Sequence, residues 1–172
     1  MEGKTHIVGS ITAAAVTHYL FTSKGVAVDE PFIYYVSAVF GGLLPDICQP
    51  NSISGQKVKK LSKSINKQFG HRTITHSILF TAVIYWLIGL LTIDSVKTIQ
   101  LGVITGIISH LLLDAFTTKG IQLLYPFKIR FRFPLYIKTG SKLEGLLFFS
   151  FVLISLWIGY QIWYTNINAF TF

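Results

Sequence analysis

The sequence predicts an all-α, polytopic membrane protein: a helical bundle of about five apolar helices with basic cytoplasmic-side loops. Three observations carry this. Of its 172 residues, 51% are hydrophobic and 13% charged, with a mean hydropathy of +0.56; a soluble domain carries about 25% charged residues. The apolar residues gather into five runs that lack the sustained period-two alternation of strands. The basic residues behind the formal charge of +8 concentrate in two loops, residues 57–72 and 119–142, a distribution that suits loops facing anionic lipid. No polar linker divides the chain, so residues 1–172 read as a single membrane-embedded domain.

The first run, residues 7–22, follows Lys4 and superficially imitates a secretory leader. Gly9, Ser10 and Thr12 interrupt it, and it continues past Ala13-Ala14-Ala15 to Phe21, so it is expected to be retained. The second, residues 32–44, stops at Pro45. A spanning helix needs about 20 residues, and these first two runs are short enough to tilt, thin the bilayer or form a partly inserted hairpin. The third (75–93) and fifth (143–164) meet the length comfortably, and the fourth (99–116) adequately. Thr73 is the expected N-cap of the third.

Orientation follows from the connections. Lys57, Lys59, Lys60, Lys63, Lys67 and Arg72 lie between the second and third runs; Lys119, Lys128, Arg130, Arg132, Lys138 and Lys142 lie between the fourth and fifth. The opposite connections are poor in base. The positive-inside rule therefore places both basic loops and the N-terminus in the cytoplasm and the C-terminus outside. Val58, Leu61, Ile65 and Phe69 recur at helical spacing among the lysines, as in an interfacial amphipathic helix. Residues 128–138 alternate basic with apolar and aromatic side chains and read as a strand-like interfacial anchor. Membrane lipid is the expected partner, and no nucleic acid is expected. The single cysteine, Cys48, excludes an internal disulfide.

The chemistry lies where the runs end. Gly102, Gly106, His110 and Asp114 are spaced by four and form one helical stripe. Its glycines admit a close neighbour, and His110-x-x-x-Asp114 offers a nitrogen and a carboxylate one turn apart, a pattern shared by metal sites and by structural helix-end pairs. Gly41-Gly42-Leu-Leu-Pro-Asp46 closes the second run, the proline stopping the helix before the aspartate. The third run opens with His71-Arg-Thr-Ile-Thr-His76-Ser77, two imidazoles at a helix entry, where a cationic histidine is disfavoured. Thr5-His6 opens the first run. His18 lies roughly 18 Å further along the same helix and reads as a packing residue. If consecutive runs are antiparallel, His6 meets Asp46, and His71 and His76 come level with His110 and Asp114, all on the cytoplasmic side. Four such coincidences in so apolar a chain point to a metal site.

At these residues the chain resembles the LexA-regulated, membrane-bound, metal-dependent hydrolases (the YdjM-like family). The matching blocks are Thr5-His6, Leu44-Pro45-Asp46, His71-Arg72 with Thr75-His76-Ser77, and His110-Leu-Leu-Leu-Asp114 running on to Gly120 and Pro126. More distantly, the order of donors is similar to the all-helical zinc phospholipase C and P1 nuclease group. That likeness implies that Asp46, one of His71 or His76, His110 and Asp114 hold one zinc, and that His6 helps hold a second, bridged by Asp114. The family often reads Leu-Pro-Asp-x-Asp, whereas this chain has Asp46-Ile-Cys48, leaving Cys48 either a soft ligand or no ligand.

These readings converge on a membrane-embedded hydrolase that uses metal-activated water. One or two divalent ions are expected, zinc suiting the His/Asp set and manganese or iron being the other candidates. The substrate class is a phosphoester or phospholipid-type molecule at the cytoplasmic interface. Arg72 is a candidate phosphate ligand, and Thr75 and Ser77 are candidates to orient the metal ligands. A divalent-metal transporter, which needs a polar path onward across the membrane, and a non-catalytic membrane scaffold are the competing readings.

Overall fold

The computed structural model describes residues 1–169, which form an all-helical protein. Its helices are α1 (Gly3–Thr22), α2 (Pro31–Leu43), α3 (Ile53–Lys57), α4 (Lys59–Phe69), α5 (Ile78–Gly89), α6 (Val96–Ala115) and α7 (Lys142–Ala169). Short 3-10 turns at Pro45–Cys48 and Ile74–His76 precede the first basic connection and α5 respectively. The centre of the bundle is the mutual packing of α1, α2 and α6, with α7 laid against α1 and α5 against α6.

Helix boundaries follow local chemistry. Pro31 sits at the start of α2, where its missing N–H costs nothing, and Pro45 tightens the chain into a 3-10 turn at its end. The entry to α5 differs from expectation. Ser77, not Thr73, is its N-cap: extended at φ −119°, it accepts the Phe80 N–H at 3.2 Å. Thr73 instead donates back to the Phe69 and Gly70 carbonyls. His76 therefore lies in a separate turn ahead of α5, not in its first helical turn.

The close approach of α2 and α6 is set by glycine. A Cβ on Gly106 would lie 1.9 Å from the Ala38 carbonyl oxygen, and one on Gly102 2.5 Å from that of Tyr34. Gly41 reciprocates, its Cβ position lying 2.2 Å from the Val103 carbonyl oxygen. This is small-residue packing, in which two backbones touch because nothing stands between them. The stripe of Gly102, Gly106, His110 and Asp114 is buried as a unit, so the same contact that joins the helices aims the two polar side chains inward.

Among the described residues, three segments are long and apolar enough to cross a membrane: Pro31–Cys48, Val96–Ala115 and Lys142–Thr165. This revises the expected count of five. The second run gains its length from the 3-10 turn that follows α2. The third, expected to span comfortably, shrinks to the 12 residues of α5, because residues 75–77 are spent on the turn that carries His76 and on the serine cap, and the helix stops before residues 90–93. Helix α1 is 20 residues long but buries Thr5, His6, Ser10, Thr12 and His18, which lowers its hydropathy while supplying the interior with polar groups.

Both basic connections fold over one end of the bundle. Leu61 and Phe69 of α4 remain exposed while Ser62 is buried, so the apolar side of this amphipathic helix is not used in the core. The stretch from Thr117 to Ser141 contains no regular strand among the described residues. It is pinned by paired hydrogen bonds between Ile121 and Phe131 (3.0 and 2.8 Å), and by Phe133 N–H to Ala115 and Ile137 N–H to Phe116.

Candidate metal centre

Four donor side chains meet at the level where α1 begins and α2 and α6 end. Asp46 comes from the 3-10 turn after α2, His76 from the turn before α5, and His110 and Asp114 from the last two turns of α6. His110 Nε2 lies 3.2 Å from His76 Nε2, 3.7 Å from Asp46 Oδ1 and 3.9 Å from Asp114 Oδ2. His76 Nε2 lies 3.6 Å from Asp46 Oδ1 and 3.5 Å from Asp114 Oδ2. Four ligands held about 2.0–2.1 Å from a tetrahedral zinc are separated by about 3.3 Å. The donors stand near that spacing, slightly expanded. His76, His110 and Asp114 are completely or almost completely buried, and the Asp46 side chain is 14% exposed, so the open side of the group is Asp46.

Backbone and side-chain partners orient these donors. His110 Nδ1–H donates to the Gly42 carbonyl at 2.6 Å, which leaves Nε2 with its lone pair facing the other three groups. Thr75 Oγ1 lies 3.1 Å from His76 Nδ1, the orienting contact expected of it. Ser77 does not touch a donor; its hydroxyl caps α5 and donates to the Ile74 carbonyl. With His110 Nε2 unprotonated, lone pairs and carboxylates converge on one point, an arrangement that a cation satisfies.

His71 and His76 are separated by this geometry. His76 belongs to the group of four. His71 turns toward Cys48, its Nδ1 3.2 Å from the sulfur, and its ring sits edge-on to His76 at 5.3 Å. Cys48, His71 and His76 form a second donor group that shares His76 with the first. The sulfur is thus adjacent to the four-donor group but outside it.

His6 flanks the other side. Its ring stacks on His110 at 3.7 Å, and Nε2 approaches Asp114 Oδ1 at 3.4 Å. Both its ring nitrogens are buried without a hydrogen-bond partner among the described residues. Asp114 Oδ1 also accepts from the Met1 amino group at 2.6 Å. Its two oxygens therefore face different neighbours, Oδ2 toward the histidine pair and Oδ1 toward His6. His18, far along α1, contacts Tyr35 instead.

Arg72, a candidate phosphate ligand in the sequence, is engaged with Asp114. Its Nε pairs with Asp114 Oδ2 and its Nη2 donates to Oδ1, both at 3.0 Å, while Nη1 donates to Thr117. Adopting φ 65°, it is one of two non-glycine residues with positive φ among the described residues. It positions Asp114 before it can bind anything else. Two cavities open beside it. One, about 520 Å³, is lined by Asp46, His71, Arg72, Lys119 and Lys138 among others; the second, about 370 Å³, is lined by His71, Arg72, Lys119, Gly120, Ile121 and Arg130. Sequence reasoning did not single out the Gly42 carbonyl or the cavity cations Lys119 and Arg130. The signals were the glycine pair before Pro45 and the basic density after Asp114.

Comparison with known proteins follows the same lines. Residues 1–168 match the family model described as YdjM inner membrane protein. The chain is 40% identical over 164 residues to the protein YvsG of Bacillus subtilis (strain 168), covering 95% of this chain and 98% of that one. It is 31% identical over 167 residues to the inner membrane protein YdjM of Escherichia coli (strain K12), covering 94% and 85%, and matches the Shigella flexneri YdjM to the same extent. No solved structure matches. The chain belongs to the YdjM inner membrane protein family.

Proposed function

We propose that this protein is a membrane-embedded, metal-dependent hydrolase acting on a phosphoester or phospholipid-type substrate at the cytoplasmic face. The observation that carries the reading is the buried group of Asp46, His76, His110 and Asp114, with near-tetrahedral spacing and its single open side on a basic cavity. Asp46, His76, His110 and Asp114 would hold a divalent ion, zinc before manganese or iron for two imidazoles and two carboxylates. His6, whose buried ring nitrogens lack a hydrogen-bond partner among the described residues and whose Nε2 lies 3.4 Å from Asp114 Oδ1, would help hold a second. Such an ion supplies an activated water near neutral pH and polarises the scissile group.

The chain's own residues do the rest. Gly42 holds the His110 tautomer, Thr75 holds His76, and Arg72 locks the Asp114 carboxylate in place. Lys119, Lys138 and Arg130, which line the cavities, bring positive charge to the position a phosphate would take. Close packing at Gly102 and Gly106 favours this reading over a transporter, because α2 and α6 touch backbone to backbone immediately beyond His110.

The test is elemental analysis and turnover of the purified protein on a chromogenic phosphodiester, before and after chelation. His110→Ala and Asp114→Ala are expected to lose metal and activity together while retaining their helical circular dichroism. Undiminished turnover by metal-free protein overturns the proposal.

A further inference from the structure

A further cavity lies on the face of α6 turned away from the donor cluster. It is an apolar groove of about 710 Å³ between α5 and α6, closed above by Ile121, Phe131 and Phe133. Its volume falls within the range of about 300–1,000 Å³ typical of small-molecule sites. On α6 it runs from Ile104 to Ala115, roughly 16 Å at about 1.5 Å per residue. That is about half of a hydrocarbon core roughly 30 Å thick, the depth of one leaflet. Because α6 is long and apolar enough to span and α5 is only 12 residues, the groove flanks a membrane-crossing helix beside one too short to cross.

What distinguishes this groove from an ordinary lipid-facing surface is what adjoins its upper end. Ile121, almost fully buried, lines both the groove and the cavity containing Arg72, Lys119 and Arg130. That cavity is lined by three cations and no carboxylate, and Arg132 lines the groove itself. The partition between the two spaces is thin and fixed. Ile121 is hydrogen-bonded to Phe131 in both directions, Gln122 N–H donates to the Arg72 carbonyl, and Ile78 N–H donates to the Leu123 carbonyl. A Cβ on Gly120 would lie 2.5 Å from the Phe131 carbonyl oxygen, so the backbone is pressed against its neighbour there. An apolar slot one leaflet deep, sharing a wall with a cationic pocket, has the division of a lipid: tail on one side, phosphate on the other.

We propose that the α5–α6 groove holds one acyl chain of an anionic glycerophospholipid whose phosphate headgroup lies against Lys119 and Arg130, in the cavity beside Arg72. This names the substrate class of the site above and rests on that reading for its catalytic meaning, but binding itself requires no turnover.

Photo-crosslinking of the full chain in nanodiscs tests it, using phosphatidylglycerol with a diazirine midway along one acyl chain and the matching phosphatidylcholine. Labelled positions are read by peptide mass spectrometry. Cross-links are expected to concentrate on residues 78–85 and 104–112, with phosphatidylglycerol ahead of phosphatidylcholine. Filling the groove with Ala82→Phe, or with Ile108→Trp if the first variant does not fold, is expected to reduce groove labelling at least about fivefold, because the added ring takes the volume that the acyl chain would occupy. Lys119→Gln and Arg130→Gln are each expected to reduce phosphatidylglycerol labelling about fivefold, the effect of one cation beside an anionic headgroup. Labelling spread evenly over the exposed face of α7, equal labelling by the two lipids, or labelling indifferent to the filling variants overturns the proposal. The same measurement on His110→Ala separates the two ideas: groove labelling that persists in an inactive protein supports the lipid site independently, whereas a metal-dependent enzyme without groove labelling loses only this inference.

Discussion

Replacing Gly106 with alanine tests the physical link between helix packing and the donor cluster. The added Cβ would lie 1.9 Å from the Ala38 carbonyl oxygen and 2.6 Å from the Gly42 nitrogen. Both are backbone atoms, so no rotamer change relieves the clash. Ordinary contact begins near about 3.5 Å, so α2 and α6 must separate by about 1.5 Å. Alanine gains about 1 kcal/mol of helix propensity over glycine, but overpacking costs about 1–3 kcal/mol and more where backbone must move, so the loss wins. For a chain of this length a net cost of about 1–2 kcal/mol corresponds to roughly 2–8 °C in melting temperature. The functional cost is larger. Asp46 follows α2 and His110 rides on α6, at 3.7 Å; an added separation of about 1.5 Å exceeds by far the roughly 0.2 Å tolerance of a coordination distance. Gly42, whose carbonyl holds His110, moves with them. Metal titration of the purified variant, alongside its thermal unfolding, is expected to show both losses. Gly145→Ala on α7 is the control, since a Cβ there meets nothing within 4 Å, and it is expected to be neutral or slightly stabilising. A Gly106→Ala protein with unchanged melting temperature and metal affinity would refute the argument that this glycine contact sets the spacing of the donors.

Other substitutions separate roles within the site. His76→Ala is expected to abolish metal binding, whereas His71→Ala, which removes the partner of Cys48 and a ring set edge-on to His76 but none of the four donors, is expected to retain it; identical metal loss in the two would return His71 to the ligand set. Arg72→Gln leaves the Asp114 carboxylate, only 1% exposed, without its guanidinium, at an expected cost of about 3 kcal/mol. Thermal unfolding with and without added zinc checks this, the loss being smaller with zinc because the ion takes over the neutralising role; an equal loss under both conditions counts against a cation at Asp114. Exchange of Lys60 and Lys63 for glutamine is expected to weaken the association of an isolated α4 peptide with anionic vesicles, by about 1 kcal/mol for each cation removed, as read by isothermal titration calorimetry.

Much of the site could be read before folding because its residues stand where apolar runs begin and end. In a bundle of consecutive antiparallel helices, starts and stops alternate between faces, so His6, Asp46, the His71–His76 stretch and the His110–Asp114 pair were directed to one level by chain direction alone. The four-residue spacing of Gly102, Gly106, His110 and Asp114 likewise expressed a single buried stripe, because the helical period is a local property of the backbone. What periodicity overstated was span length. The run at residues 75–93 is apolar enough to suggest a full crossing, yet its first residues serve a 3-10 turn and a serine cap, which hydropathy does not register.

The sequence by itself determined the helical class, the order of the helices and the end of the bundle at which the ionisable residues collect, since these follow from hydrophobic patterning and chain direction. Only the tertiary structure decided which histidine joins Asp46, His110 and Asp114. That choice turns on the left-handed backbone at Arg72 and the turn after it, which point His76 inward and leave His71 on Cys48. The tertiary structure also engaged Arg72 with Asp114, recruited the Gly42 carbonyl to His110, and set an apolar groove beside a cationic cavity across the wall at Ile121. Each of these depends on contacts between segments distant in the chain, where the distances between atoms, and not the spacing of residues, determine the chemistry.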